Sequence, residues 1–186
     1  MSEKITINFK KLMSETQIIE VPKYQREYSW NSEQINQLLN DIDSINIDIQ
    51  NNDMRSATSH HFLGLLVLIE ERTEGKNIYS IVDGQQRLST LLLIASTMKD
   101  FIIEFIKQGI SLNNNTTNKL HESIRWYDDF IFNQKEHQFD KKKPKFIPNH
   151  NDKHMFDLLV LLESSFDEKK AKVENLNKKY LKKKYF

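Results

Sequence analysis

The sequence predicts an α+β fold: a small mixed or antiparallel sheet packed on a central apolar helix, followed by a mainly helical C-terminal part. Three observations carry this. Phe62 to Glu70 and Ile78 to Val82 are apolar, β-rich runs joined by a short segment containing Gly75, so they read as antiparallel neighbours with no room for a helical crossover. The second run meets the turn pair Asp83-Gly84 and then Leu88 to Ile106, a stretch apolar around most of a helix's circumference, as suits the centre of a domain. Four Gly and three Pro in 186 residues argue against a many-turned all-β fold.

The remaining elements follow in order. Ile5 to Phe9 reads as a short strand, and Gln17 to Val21 as another, ended by Pro22. Tyr24 to Trp30 reads as extended or looped; if extended, Tyr24, Arg26, Tyr28 and Trp30 share one side. Asn31 with Gln34 has capping-box spacing and opens a helix to about Ile49, burying Ile35, Leu38, Leu39, Ile42 and Ile45. Gln50 to Ser59 is a polar loop, Gly109 falls near a helix C-cap, and Asn113 to Asn115 is a second polar loop. Thr117 to Asn133 is helical, with Leu120, Ile124, Tyr127 and Ile131 inward. Phe139 to Pro148 is basic and extended. Asp152 caps a helix through Met155, Leu158, Leu159 and Leu162, and a Lys/Glu-rich helix from Ser165 carries a sparse stripe of Val173, Leu176 and Tyr180. This suggests a domain over 1–110 and a helical, Lys-rich extension over 111–186.

Composition narrows the class. Hydrophobic residues at 38% and charged residues at 28% fit a soluble globular chain. The absence of cysteine excludes disulfides and thiolate metal sites and fits a reducing cytoplasm. The longest apolar stretch, Phe62 to Ile69, is too short to span a bilayer, and Met1 to Thr6 lacks the apolar core of a signal peptide, so no membrane partner is expected. Charge is uneven: residues 1–134 carry 13 Lys+Arg against 18 Asp+Glu, and residues 135–186 carry 14 Lys against 8. Lysines of this kind make point-charge contacts with nucleic-acid phosphates, or form a solvated helix face; the second reading is preferred.

The segment Val82-Asp83-Gly84-Gln85-Gln86-Arg87 concentrates the chemistry. A strand, a glycine turn and a long helix present unpaired N–H groups and the positive end of a dipole. Gly84 lacks the Cβ that would obstruct a ligand. Arg87 opposes the dipole in the first turn, an unfavourable placement that a bound phosphate would reverse. A capped structural helix, with Arg87 in solvent or paired to a carboxylate, fits the same residues.

Two blocks then carry a family resemblance. Val21-Pro22-Lys23-Tyr24-Gln25-Arg26-Glu27-Tyr28-Ser29-Trp30 followed by Leu38-Leu39-Asn40-Asp41-Ile42, and Phe62-Leu63-Gly64 followed by Val82-Asp83-Gly84-Gln85-Gln86-Arg87-Leu88-Ser89-Thr90-Leu91, resemble the N-terminal domain of GmrSD-type (type IV) restriction enzymes, within the ParB/sulfiredoxin-like group. The match is close over residues 15–106 and looser over Lys145 to Phe156. The resemblance implies a nucleoside triphosphatase that works beside a nuclease and restricts modified foreign DNA, typically phage DNA. Carried over, Asp83, Gln85, Gln86 and Arg87 are the catalytic group. Gly84 and Arg87, with Tyr24, Gln25 and Arg26, bind the nucleotide, and Asp83 meets it through Mg²⁺. A glutamine amide would position water rather than take its proton, and Arg87 and Arg26 would stabilise phosphate charge.

Members of this kind continue into, or pair with, an HNH-type nuclease. His150 and His154, four apart, invite that reading, but an HNH site needs a β-hairpin between its histidines and this segment is too short; His60-His61 is read as a strand entry. The chain is therefore expected to be one part of a larger or split system, with the nuclease as a partner, no DNA cleavage of its own, and room for an oligomer. The alternative is a ParB-like module that senses nucleotide or binds DNA without hydrolysis.

Overall fold

The computed structural model describes residues 9–15, 18–50, 64–73, 76–133, 143–162 and 164–184. Of the expected strand Ile5 to Phe9, residues 5–8 lie outside them and Phe9 opens a helix instead; residues 51–59 of the expected polar loop, His60-His61, Phe62-Leu63, the Gly75 turn and Phe139 to Lys142 also lie outside.

The order of elements is α1 (Phe9–Glu15), β1 (Ile18–Glu20), α2 (Ser32–Gln50), β2 (Val67–Thr73), β3 (Lys76–Asp83), α3 (Gln85–Lys107), α4 (Asn114–Ile131), β4 (Phe132–Asn133), β5 (Lys143–Pro144), β6 (Phe146–Ile147), α5 (Lys153–Phe156) and α6 (Phe166–Lys184), with a π-helical turn at Asp157–Leu161 after α5. Four strands form a mixed sheet in the order β2-β3-β1-β6. β2 and β3 are the antiparallel pair, running from Thr73 opposite Lys76 to Val67 opposite Asp83. β1 is parallel to both of its neighbours, with Ile19 beside Tyr79 and Phe146. The carboxyl ends of three parallel strands therefore open on one edge: Asp83, Glu20 and Ile147.

The register of β2 places Leu66 and Leu68 toward the core and leaves Leu65, Val67 and Ile69 exposed. The strand begins at Val67, later than the apolar run suggested; Gly64, three residues before it, takes a left-handed φ of 100°.

The core joins both halves of the chain. Met13, Ile19, Ile81, Leu88, Leu92 and Ala95 pack with Phe130, Ile131, Phe132, Phe146, Phe156 and Val160. β6 belongs to the same sheet, so residues after 111 supply a strand and much of the core. The α3 helix is central, as expected: Leu88, Leu92, Ala95, Ser96 and Lys99 are buried toward the core and Gln86 and Thr90 toward the chain between β1 and α2, while Met98 and Phe101 are exposed.

Caps explain where the helices begin. Asn31 Oδ1 accepts from the Glu33 N–H at 2.8 Å and Gln34 Oε1 from the Asn31 N–H at 2.9 Å, the expected box. Asn113 Oδ1 accepts from the Thr116 N–H at 2.8 Å, so α4 starts within the run read as a loop. Ser165 and Glu168 bond reciprocally ahead of α6.

Two lysines read as solvated are buried. Lys169 pairs with Asp100 of α3 and also donates to the Leu159 carbonyl. Lys145, between β5 and β6, donates to the carbonyls of Met13 and Asp129, in the last turns of α1 and α4. A cation there satisfies acceptors that each helix end leaves over and complements two dipoles. No helix among the described residues is long and apolar enough to cross a membrane.

Lys145→Met keeps the aliphatic stem but strips both carbonyls of their donor. It should lower unfolding stability by about 2–3 kcal/mol, read from the urea midpoint.

Candidate functional site

The site begins at a backbone turn. β3 ends at Asp83, whose Oδ1 accepts from the Gly84 N–H at 2.8 Å. Gly84 takes φ 89° and ψ 6°, and the Leu88 N–H reaches its carbonyl at 3.0 Å to start α3. Glycine is needed here twice over: for the left-handed conformation, and because a Cβ would collide with the Leu66 side chain and sit 3.0 Å from the Leu65 carbonyl. Gly84 offers no side-chain cap, and among the described residues no side chain accepts from the first N–H groups of α3.

The two glutamines that follow are buried and point across to the chain between β1 and α2. Gln85 Nε2 donates to the Arg26 carbonyl at 3.1 Å, and Gln86 Nε2 to the Glu27 carbonyl at 3.0 Å. Gln86 Oε1 accepts from the Ser29 N–H at 2.8 Å, so both ends of that amide are engaged. One turn on, Thr90 meets the Tyr28 hydroxyl at 2.8 Å. From the other direction, Gln25 Nε2 donates to the Val82 carbonyl at the end of β3. A third segment closes the arrangement. After β6, Asn149 Nδ2 donates to the Gln25 carbonyl at 2.6 Å, Asp152 Oδ2 accepts from the Tyr28 N–H at 2.7 Å, and Asn151 bonds Glu27.

The Tyr24 to Trp30 segment is looped, the second of the two expected forms, and is held by side-chain amides. It opens on a turn with the Gln25 N–H on the Pro22 carbonyl. It turns Gln25 inward and leaves Tyr24 at 77% exposure, beyond every contact that builds the site.

Arg87 lies on the other flank of the α3 N-terminus. Its Nη1 donates to the Leu65 carbonyl at 3.3 Å, and among the described residues it meets no carboxylate. The guanidinium rests against Gly64, where a Cβ would lie 2.5 Å from its Cζ. The Gly64 and Arg87 of the two separate motifs are thus one contact. Asp83 is exposed, with one oxygen bound to the Gly84 N–H, and Arg26 is exposed as well.

Between the three segments lies a cleft of about 340 Å³. Its walls include Val21, Leu93, Pro148, Phe156 and Leu159; its polar lining comprises Arg26, Tyr28, Gln85, Gln86, Ser89, Asn149 and Asp152. Asp83, Gly84 and Arg87 do not line it. Residues 85, 86, 89 and 93 share one face of α3, and Arg87 projects from another. Burial raises the Asp152 carboxyl above its ordinary 3.8, the Tyr28 N–H draws it back down, and the negative charge of Glu27 adds to the rise. Among the described residues no group of three His, Asp or Glu is placed to hold a metal, and His150 and His154 are exposed.

Ser89, Asn149 and Asp152 were not among the expected site residues. Asp152 was read as a helix cap, but its carboxylate makes no cap bond and turns to Tyr28 instead. The only signal in the sequence was the loose block from Lys145 to Phe156.

The sequence matches the family described as GmrSD restriction endonuclease, N-terminal domain, over residues 9–185. A search among curated proteins returns no match.

Two measurements check this geometry. Gly64→Ala places a Cβ on the Arg87 guanidinium at a strained φ and should cost about 1–3 kcal/mol; combined with Arg87→Ala the loss should be clearly less than additive. Asp152, with its raised native pKa, contributes stability that is present in full below its ordinary 3.8 and lost as pH rises through the native value. Asp152→Asn mimics the protonated acid at every pH, so its urea midpoint should gain on wild type as pH rises through that window.

Proposed function

This chain belongs to the GmrSD restriction endonuclease N-terminal domain family, and from that premise we propose that it binds and hydrolyses a nucleoside triphosphate at the N-terminus of α3, within a restriction system directed at modified foreign DNA. The observation that carries the reading is the Gly84 turn at the carboxyl edge of three parallel strands, where open α/β sheets hold their ligands. Uncapped N–H groups stand there, flanked by Arg26 on one side and Arg87 on the other.

Each expected site residue then has a role. Arg87, whose only acceptor among the described residues is a carbonyl at 3.3 Å, exchanges that weak bond for phosphate oxygens. Arg26 contributes a second guanidinium. Gln85 and Gln86 act through the segment they hold, keeping Arg26 beside the helix terminus. Gln25 braces the same segment against the end of β3, and Tyr24 stands exposed at its rim. Mg²⁺ fits the donor set: a hard cation shared with phosphates needs one or two carboxylates, and among the described residues Asp83 has one oxygen uncommitted. When bound, the ion would neutralise charge on the phosphates.

On this reading, cleavage of DNA falls to an HNH-type nuclease partner; among the described residues His150 and His154 are exposed and belong to no group placed to hold a metal. An Mg²⁺-dependent phosphate-release assay with each NTP tests the reading. Turnover should fall at least about a hundredfold in Arg87→Ala, with little recovery in Arg87→Lys because a point charge does not replace a fork. Nucleotide binding without phosphate release would instead assign a sensing module.

A further inference from the structure

The loop that carries Arg26 belongs to no strand, yet its backbone is held step by step. Successive peptide units from Gln25 to Ser29 each meet a side chain. The Gln25 carbonyl accepts from Asn149 Nδ2 at 2.6 Å, the Arg26 carbonyl from Gln85 Nε2 at 3.1 Å, and the Glu27 carbonyl from Gln86 Nε2 at 3.0 Å. The Tyr28 N–H donates to Asp152 at 2.7 Å and the Ser29 N–H to Gln86 at 2.8 Å. These holds come from two directions: Gln85 and Gln86 from α3, Asn149 and Asp152 from the chain after β6.

Arg26 sits where the two directions meet. A peptide unit is planar, so the two units flanking a Cα set that residue's φ and ψ, and with them the direction of its side chain. For Arg26 these are the unit bearing the Gln25 carbonyl and the unit bearing its own carbonyl. Asn149 holds the first and Gln85 the second, and among the described residues no other side chain bonds either. Arg26 is exposed and gains little aim from packing, so its backbone supplies the order its guanidinium has.

Asn149 can do this because it is itself fixed. It is 5% exposed and follows Pro148, whose ring restricts φ, and Ile147, whose carbonyl accepts from the Val21 N–H at 2.9 Å. Its own carbonyl accepts from the Asp152 N–H at 3.0 Å. Its Oδ1 accepts from the Asn151 N–H at 3.1 Å, which orients the amide and turns the NH₂ toward Gln25. A carboxylate of the same shape could make the first of these side-chain bonds but not the second.

We infer that Asn149 is a positioning residue for the Arg26 guanidinium, fixing from the second half of the chain the root from which that cation reaches the phosphates. This rests on the phosphate-binding reading above and adds to it a residue on which one of its two guanidiniums depends. Misplacing a catalytic group by about 1 Å can cost about a hundredfold in rate, so even a partial loss of aim is measurable.

The test is a double-mutant cycle in the full chain, read as kcat/KM for phosphate release with Mg²⁺. Asn149→Ala removes the donor. Asn149→Asp keeps the shape and the acceptor for the Asn151 N–H but sets an oxygen against the Gln25 carbonyl; it replaces the alanine variant if that one does not fold. Either should lower kcat/KM about tenfold in otherwise wild-type protein, and less than about twofold in an Arg26→Ala background. Urea midpoints of the same proteins should behave differently, falling equally with and without Arg26, because the exposed guanidinium takes no part in holding the loop.

Equal activity losses in both backgrounds, with Arg87→Ala still abolishing turnover, would overturn the positioning role and leave the phosphate reading standing. Full activity in either Asn149 variant would do the same. A wild-type chain that neither releases phosphate nor binds inorganic tripolyphosphate would remove both. Where tripolyphosphate binds without any phosphate release, the cycle is read on its affinity: a loss that depends on Arg26 supports the role, and one that does not overturns it.

Discussion

Everything at the carboxyl edge of the sheet depends on the bonds from the Gln85 and Gln86 amides to the backbone between β1 and α2. That segment has no ladder of its own, so its carbonyls need donors from elsewhere. Two adjacent glutamines in the first turn of a helix supply them at neighbouring carbonyls, at 3.1 and 3.0 Å. Because the helix is anchored by Leu88 and Leu92 in the core, the loop inherits the rigidity of the scaffold. A bound ligand would meet a surface already in place.

The same helix turn divides its side chains by angle. Gln85 and Gln86 face the segment from β1, whereas Arg87 faces Gly64 ahead of β2. Glycine permits both close approaches: Gly84 lets the turn pass Leu66, and Gly64 lets the guanidinium lie on the backbone. Adjacent letters in the sequence thus serve two sides of a site, and distant ones meet at a single contact.

Buried cations hold the frame. Lys145 ties the ends of α1 and α4 to the strand that leads into Asn149 and Asp152, and Lys169 ties α6 to α3. Both lysines lie in the part of the chain richest in lysine. Charge alone therefore says little about where these residues go. A lysine that finds two carbonyls or a carboxylate can sit in the interior, where one without them would not.

Much of this protein was decided locally and could be read in one dimension. Asn31 with Gln34, the Asp83-Gly84 turn, the apolar core positions of α3 and the inward residue Ile131 follow from spacing, caps and dihedral preference, which act over a few residues. What the sequence could not specify was which groups would meet at long range. The parallel pairing of β6 with β1, the engagement of Gln86 at both ends, the turn of Asp152 toward Tyr28 and the burial of Lys145 all join residues far apart in the chain. Those contacts exist only once the core has closed, because only then does the loss of water leave each buried donor or acceptor to find its partner.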